Sequence, residues 1–213
     1  MACRKNNVIT QNLRQYKFMT NRDIDFLYEI GSLRNVPRGW RQHLGFDVAS
    51  DLEHTIRLIW IALIISRMEK AGDENKIIKM ALVHDVAETR TSDLSYVQKV
   101  YVKADESKAA DDMFDGTSVA DYRHIIEEYE KRDSIEAKIV KDADNLDIDL
   151  ELKEIEELGS KLPGKWATNR KLVRDEKLYT QSAKKLWEQI QSSDPSEWHM
   201  KSNKWLKDPN AGK

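Results

Sequence analysis

His84 and Asp85 stand side by side at the end of the apolar stretch that begins at Ile77, and Glu88 follows three residues later. Neutral imidazole nitrogen and carboxylate oxygen together suit a borderline transition metal, so the pair is a candidate clamp for a divalent cation. The same two residues also fit a satisfied core histidine beside a solvated helix end, and a dipeptide does not decide between them. Ile77, Ala81, His84 and Glu88 are spaced by four, three and four residues, so one helical face turns from hydrocarbon to imidazole and carboxylate. That oddity occurs twice more. His54 opens a face continued by Leu58, Ile61, Ile65 and Met68, and Asp144 lies four residues from both Val140 and Ile148, close to an apolar stripe. In chain order the groups read His54, then His84 and Asp85, then Asp144, on three separate predicted helices. Two imidazoles and two carboxylates leave open positions on a divalent ion, where water gains acidity and a phosphate oxygen is polarised.

The elements that must carry these groups follow from caps and periods. Residues 1–20 read as a loosely held arm, 21–191 as one domain and 192–213 as a tail packed on or near it. Thr20 or Asn21 caps a helix with Ile24, Leu27, Ile30 and Leu33 or Arg34 in phase, ending before Pro37. The stretch 35–45 is a loop rich in costly residues, among them Arg38, Trp40, Arg41 and His43. Trp40 there serves either to stack on a ring or sugar or simply to anchor the loop in the core. Asp51 begins a helix to about Ala71, apolar nearly all round from Ile56 to Ile65 except at Arg57, as for a helix central to a bundle. Gly72 ends it and Asp73 caps the next, which leads to His84 and Asp85.

Beyond Glu88 the polar run 89–95 leaves the helix and brings Asp93 close in sequence to the cluster. Tyr96 to Asp115 reads equally as a lid or as a plain surface helix. Val119 to Lys131 and Ile135 to about Leu158 are stronger helices. The second contains Asp142, Asp144, Asp147 and Asp149; a run of this kind reads as a solvated acidic face, from which Asp144 departs by phase. A turn over 159–164 precedes a final helix through about Gln191, anchored by Leu178, Ala183, Leu186, Trp187 and Ile190. The tail with Trp198 and Trp205 reads as irregular.

Composition narrows the function classes. A chain of 213 residues suits one domain with terminal extensions. Charged residues make up 34% with a net charge of only −2, which disfavours nucleic acid or an anionic membrane as the main partner. The single Cys3 allows neither a disulfide framework nor a cysteine-rich zinc site within one chain, so a reducing, cytoplasmic setting is expected. The longest apolar run, Leu58 to Ile65, is far short of the about twenty residues a membrane span needs. Eight Gly and four Pro, among long stretches rich in Glu, Lys, Leu, Ala and Ile, favour an all-α fold.

The ordered set His54, His84, Asp85 and Asp144 resembles the pattern of the HD-domain metal-dependent phosphohydrolases. Leu52-Glu53-His54-Thr55, His84-Asp85-Val86-Ala87-Glu88, Thr91-Ser92-Asp93-Leu94 and Lys141-Asp142-Ala143-Asp144-Asn145-Leu146 bring it closest to the HD-domain 5′-deoxynucleotidases, over roughly Asp25 to Leu158. The resemblance implies an all-α HD-domain helical bundle with a C-terminal helical extension, one divalent metal ion such as Mn²⁺ or Co²⁺, a deoxyribonucleoside monophosphate substrate and a homodimer. In that family an arginine and a tryptophan ahead of the first metal histidine hold the nucleotide, which Arg38 and Trp40 match; Arg34 and Arg41 are alternative phosphate holders. Glu88, one helical turn from His84, is expected to act as general acid or base without binding the metal. Asp93 would orient the sugar hydroxyl or the attacking water, Arg38 would neutralise the phosphate with bidentate geometry, and Trp40 would disfavour a 2′-hydroxyl. Two rivals remain at this point. One is the same centre acting on a cyclic nucleotide, a nucleoside triphosphate or (p)ppGpp; the other is a helical module that senses a nucleotide or metal without turnover.

Overall fold

A computed structural model describes residues 21–201. The expected N-terminal arm, Cys3, the Thr20 alternative for the first cap and Trp205 lie outside the described residues. Eleven α-helices follow in order: α1 Asn21–Gly31, α2 Arg41–Leu44, α3 Asp51–Glu69, α4 Glu74–Val83, α5 Glu88–Thr91, α6 Glu106–Phe114, α7 Arg123–Lys131, α8 Ile135–Glu157, α9 Leu162–Glu176, α10 Gln181–Gln191 and α11 Glu197–Lys201. Among the described residues there is no strand, only an isolated antiparallel bridge between Pro37 and Ser50. The all-α expectation is borne out.

The long helices start where side chains take over the orphan backbone donors of a first turn. Ser50 and Glu53 close a reciprocal capping box on α3, Asp73 accepts from Asn75 N at α4, and Ser134 accepts from Ala137 N at α8. The centre of the bundle is α3 against α8, with α4 and α10 packed on the pair. Leu58, Ile61 and Ile65 of α3 meet Ile77 and Met80 of α4, Ile139, Val140 and Leu146 of α8, and Ile190 of α10 in one apolar core. Each such side chain, fully buried, stabilises the fold by about 1.5–3 kcal/mol relative to exposure. A second cluster unites Val83 and Val86 with Met113 and Phe114 of α6. The lid alternative for 96–115 therefore fails for its second half, because α6 buries Ala110, Met113 and Phe114 in a core.

Three expectations are corrected. The helix carrying His84 stops at Val83, and residues 84–87 form a turn closed by bonds such as Val86 N to Val83 O and Glu88 N to Asp85 O. Glu88 thus starts α5, and the straight face from Ile77 to Glu88 does not exist. The final helix is two helices, because Asp142 takes the backbone N–H groups of Tyr179 and Thr180, and Thr180 then caps α10. The aspartate run is not a solvated face: Asp142, Asp147 and Asp149 are buried, each beside donors from another element.

Candidate active site

His54 lies in the second turn of α3 with no exposure, and its Nδ1 meets Asp147 Oδ2 of α8 at 2.6 Å. His84, just past the end of α4, directs Nδ1 to the carbonyl of Ala81 at 2.8 Å. With both Nδ1 positions occupied, the two Nε2 atoms face each other at 3.3 Å. Asp85 Oδ2 approaches His84 Nε2 at 2.9 Å and Asp144 Oδ1 approaches His54 Nε2 at 3.4 Å. One ligand atom from each of the four residues lies within 4.8 Å of the others. Metal–ligand bonds of about 2.0–2.2 Å hold the donors of one ion within roughly 4.4 Å of each other, so the cluster is of the right size. The structure therefore brings together the four residues expected as ligands.

The electrostatics follow from this crowding. Burial opposes a charge on His54, yet the bonds to Asp144 and Asp147 win and raise it to about 9. Burial likewise works against ionised Asp85 and Asp144, but His84 for the first and Lys141 with His54 for the second hold them below the usual carboxylate range. Two nitrogens and two carboxylates aimed at one point suit a cation, with Asp147 fixing the tautomer of His54 from behind. Sequence reasoning missed Asp147. The signal was available, since Asp147 and Glu151 follow Asp144 at three and seven residues, on the same face of α8.

Arg38 is the arginine that the fold selects. Its side chain is buried, with guanidinium nitrogens 3.4 Å from Asp93, 3.5 Å from Asp85, 3.6 Å from Asp51 and 3.9 Å from Asp144. Arg41 instead pairs with Asp47 at the exposed surface, and Arg34 and Arg41 line a separate hollow with Glu53. Trp40 places its ring 4.7 Å from the Arg38 guanidinium carbon, and its Nε1 donates to Glu151 at 2.8 Å. Glu151 also accepts from Ala49 N, so one buried carboxylate ties both ends of the 40–49 loop to α8. Asp93 Oδ2 accepts from Gly39 N at 2.9 Å.

Glu88 is buried beside Asp51 and Asp93, an oxygen of each within 4.8 Å of the other two. Burial first, and then the charges of Asp85, Asp93 and Asp51, push its carboxyl up to about 11, so it carries a proton at neutral pH. Burial also lifts Asp51 to about 6. These three carboxylates form a second acidic group next to the first, with Arg38 between them. Asp51 was read from the sequence only as a helix start. All eight expected site residues are thus placed around one region, while His124 and His199 are exposed. His43 stacks near Tyr96, with ring centroids 5.1 Å apart.

A cavity of about 510 Å³ opens over this region, lined among others by Arg38, Trp40, Asp85, Glu88, Tyr129 and Trp166. That size and mixture of apolar walls and convergent polar groups suits a small-molecule ligand.

The chain matches the HD domain family over residues 30–192. It belongs to the HD domain family. Among curated relatives, 5′-deoxynucleotidase HDDC2 of Danio rerio is 32% identical over 149 residues, covering 67% of this chain and 73% of that protein. 5′-Deoxynucleotidase HDDC2 of Homo sapiens is 30% identical over 149 residues, covering 67% and 72%. A conserved hypothetical protein from Pyrococcus furiosus superposes with a TM-score of 0.67 at 26% identity, covering 80% of this chain and 99% of its own. The HD-domain bundle implied by the sequence is the fold observed.

Proposed function

We propose that this HD-domain protein is a metal-dependent phosphohydrolase that removes the 5′-phosphate of deoxyribonucleoside monophosphates. The observation that carries the reading is the convergence of two Nε2 atoms and two carboxylates beside buried Arg38 and buried Glu88, next to one cavity. The relatives named 5′-deoxynucleotidase support the substrate class. The catalytic unit is residues 21–191, acting in the cytoplasm as a homodimer.

His54, His84, Asp85 and Asp144 would hold one divalent ion, Mn²⁺, Co²⁺ or similar. When bound, such an ion supplies Lewis acidity toward the phosphate and toward a water. Arg38 exchanges its loose carboxylate contacts for two phosphate oxygens, a trade that favours the bidentate geometry of a guanidinium. Glu88 delivers its proton to the 5′-oxygen as the bond to phosphorus breaks. Asp93 steadies the Arg38–Gly39 backbone and orients the sugar hydroxyl or the attacking water. Trp40, fixed through Glu151, closes on the sugar and disfavours a 2′-hydroxyl.

The deciding experiment joins metal analysis to phosphate release from dAMP, AMP, cyclic AMP and dATP. Phosphate release from dAMP well above AMP is expected, with neither cyclic AMP nor dATP turned over. His84→Ala or Asp85→Ala is expected to lose metal and activity together, and Glu88→Gln to keep the metal and lose turnover. An active, metal-free His84→Ala protein would sink the proposal. Nucleotide binding without phosphate release under several metals would favour the sensing module instead.

A further inference from the structure

We infer that Arg132, a residue assigned no role so far, is a second anion-holding group that grips the phosphate of the substrate from the lining of the cavity it shares with Arg38. The inference leans on the phosphohydrolase reading only for the identity of the anion. Arg132 follows α7 and takes the left-handed conformation, φ 56°, while its N–H closes the helix on Tyr129 O. Glycine or asparagine is favoured at such a position, since Cβ is strained there. The backbone alone means little, because Lys70 ends α3 in the same way. Lys70, however, is exposed. Arg132 turns back over the ring of Tyr129, guanidinium carbon 3.4 Å from the centroid, and reaches the cavity wall. Tyr129 itself is buried and packs edge-on against His84, centroids 5.7 Å apart. One aromatic ring therefore separates the guanidinium from a residue of the proposed metal set.

Of the four other cations that line the cavity, three are already engaged and the fourth, Lys99, is exposed to solvent. Lys141 Nζ lies 2.6 Å from Asp144 Oδ2, Arg170 is held by both oxygens of Asp149 and by Asn145 O, and Arg38 faces four carboxylates. Arg132 differs. Among the described residues, its Nη1 is buried without a hydrogen-bond acceptor, and its Nη2 has the exposed carboxylate of Glu130 3.7 Å away. A guanidinium is a donor only, so a desolvated nitrogen left without an acceptor is costly, and an anion entering the cavity would remove that cost. Stacking on Tyr129 holds the group in place beforehand, which lowers the entropy lost on binding. A phosphomonoester dianion has the charge and acceptor oxygens to engage this guanidinium as well as the metal set and Arg38, which line the same cavity.

The test uses full-length, Mn²⁺-loaded protein titrated calorimetrically with inorganic phosphate, comparing wild type with Arg132→Gly and Arg132→Lys. Glycine suits the left-handed position, so Arg132→Gly is expected to keep its Mn²⁺ and melt no lower than wild type. Its phosphate affinity is expected to fall about tenfold or more, as for loss of a charged hydrogen bond. Arg132→Lys should recover part of the affinity, and KM for dAMP should rise in Arg132→Gly by a larger factor than kcat falls. Phosphate affinity within twofold of wild type in Arg132→Gly, or no phosphate binding by the wild type, overturns the inference. Should wild type fail to hydrolyse dAMP while Arg132→Gly still loses phosphate affinity, the substrate proposal falls and the role of Arg132 stands.

Discussion

Glu88 enters the fold with its proton, and the thermodynamic consequence has a definite sign. In the unfolded chain its carboxyl ionises near 4.5, whereas burial and three neighbouring carboxylates raise it to about 11 in the fold. The stability associated with that proton is fully present below pH 4.5 and falls as pH rises toward 11, because only the unfolded state loses the proton readily. At pH 7 the resulting penalty is about 3 kcal/mol. Glu88→Gln removes the titration and keeps the shape. The metal-free variant is expected to melt several degrees above wild type at pH 7, with the gap closing as the pH approaches 4.5; scanning calorimetry at the two pH values checks it, and equal melting at pH 7 contradicts a protonated Glu88. Asp147 acts through His54. Asp147→Asn weakens the acceptor that fixes Nδ1, and a loss of about 10–100-fold in Mn²⁺ affinity is expected by titration, without loss of helicity.

At the scale of elements, the decisive contact is between the loop before α2 and the loop after α5. A Cβ on Gly39 would stand 2.6 Å from Asp93 O and 2.7 Å from Ser95 N, both backbone atoms that cannot turn aside. Only glycine permits this approach, and through it Arg38 reaches Asp85 and Asp93. Gly39→Ala is therefore expected to push the two loops apart, raising KM for dAMP about tenfold or more while the Mn²⁺ content holds, since the four ligand residues lie on other segments. A metal-depleted Gly39→Ala protein would show the two loops to be one unit with the metal set. Helix α8 serves the site on three levels: Asp144 faces the cluster, Asp147 supports His54, and Glu151 holds Trp40.

For the molecule as a whole, the outer side of α3 is one apolar surface left open among the described residues. Ile56, Trp60 and Ile64 are 54%, 65% and 48% exposed at successive helical turns, although α3 is otherwise central to the core. Such an apolar stripe suits the proposed homodimer, whereas Trp187 packs against the core. Trp60→Glu combined with Ile64→Glu is expected to convert a dimer to a monomer in sedimentation velocity. A wild type that sediments as a monomer ends the homodimer proposal. No helix among the described residues is long and apolar enough to cross a membrane.

The sequence by itself determined the all-α class, the starts of the long helices α3, α4 and α8, and which residue types had to answer for the polar ends of apolar faces. Those features are local: a cap acts over three residues and a helical face repeats within four, so His54, His84, Asp85 and Asp144 were legible from spacing and chain order. The family resemblance put Arg38 first, and tertiary structure set it apart from Arg34 and Arg41, since it is the side chain that meets carboxylates from three other segments. It also turned Asp147 from a surface charge into the support of His54, 93 residues away along the chain. The split of the last helix has the same origin, because Asp142 competes for the N–H groups of Tyr179 and Thr180 from another helix. A buried charge is decided by the partner that neutralises it, and local sequence does not contain that partner.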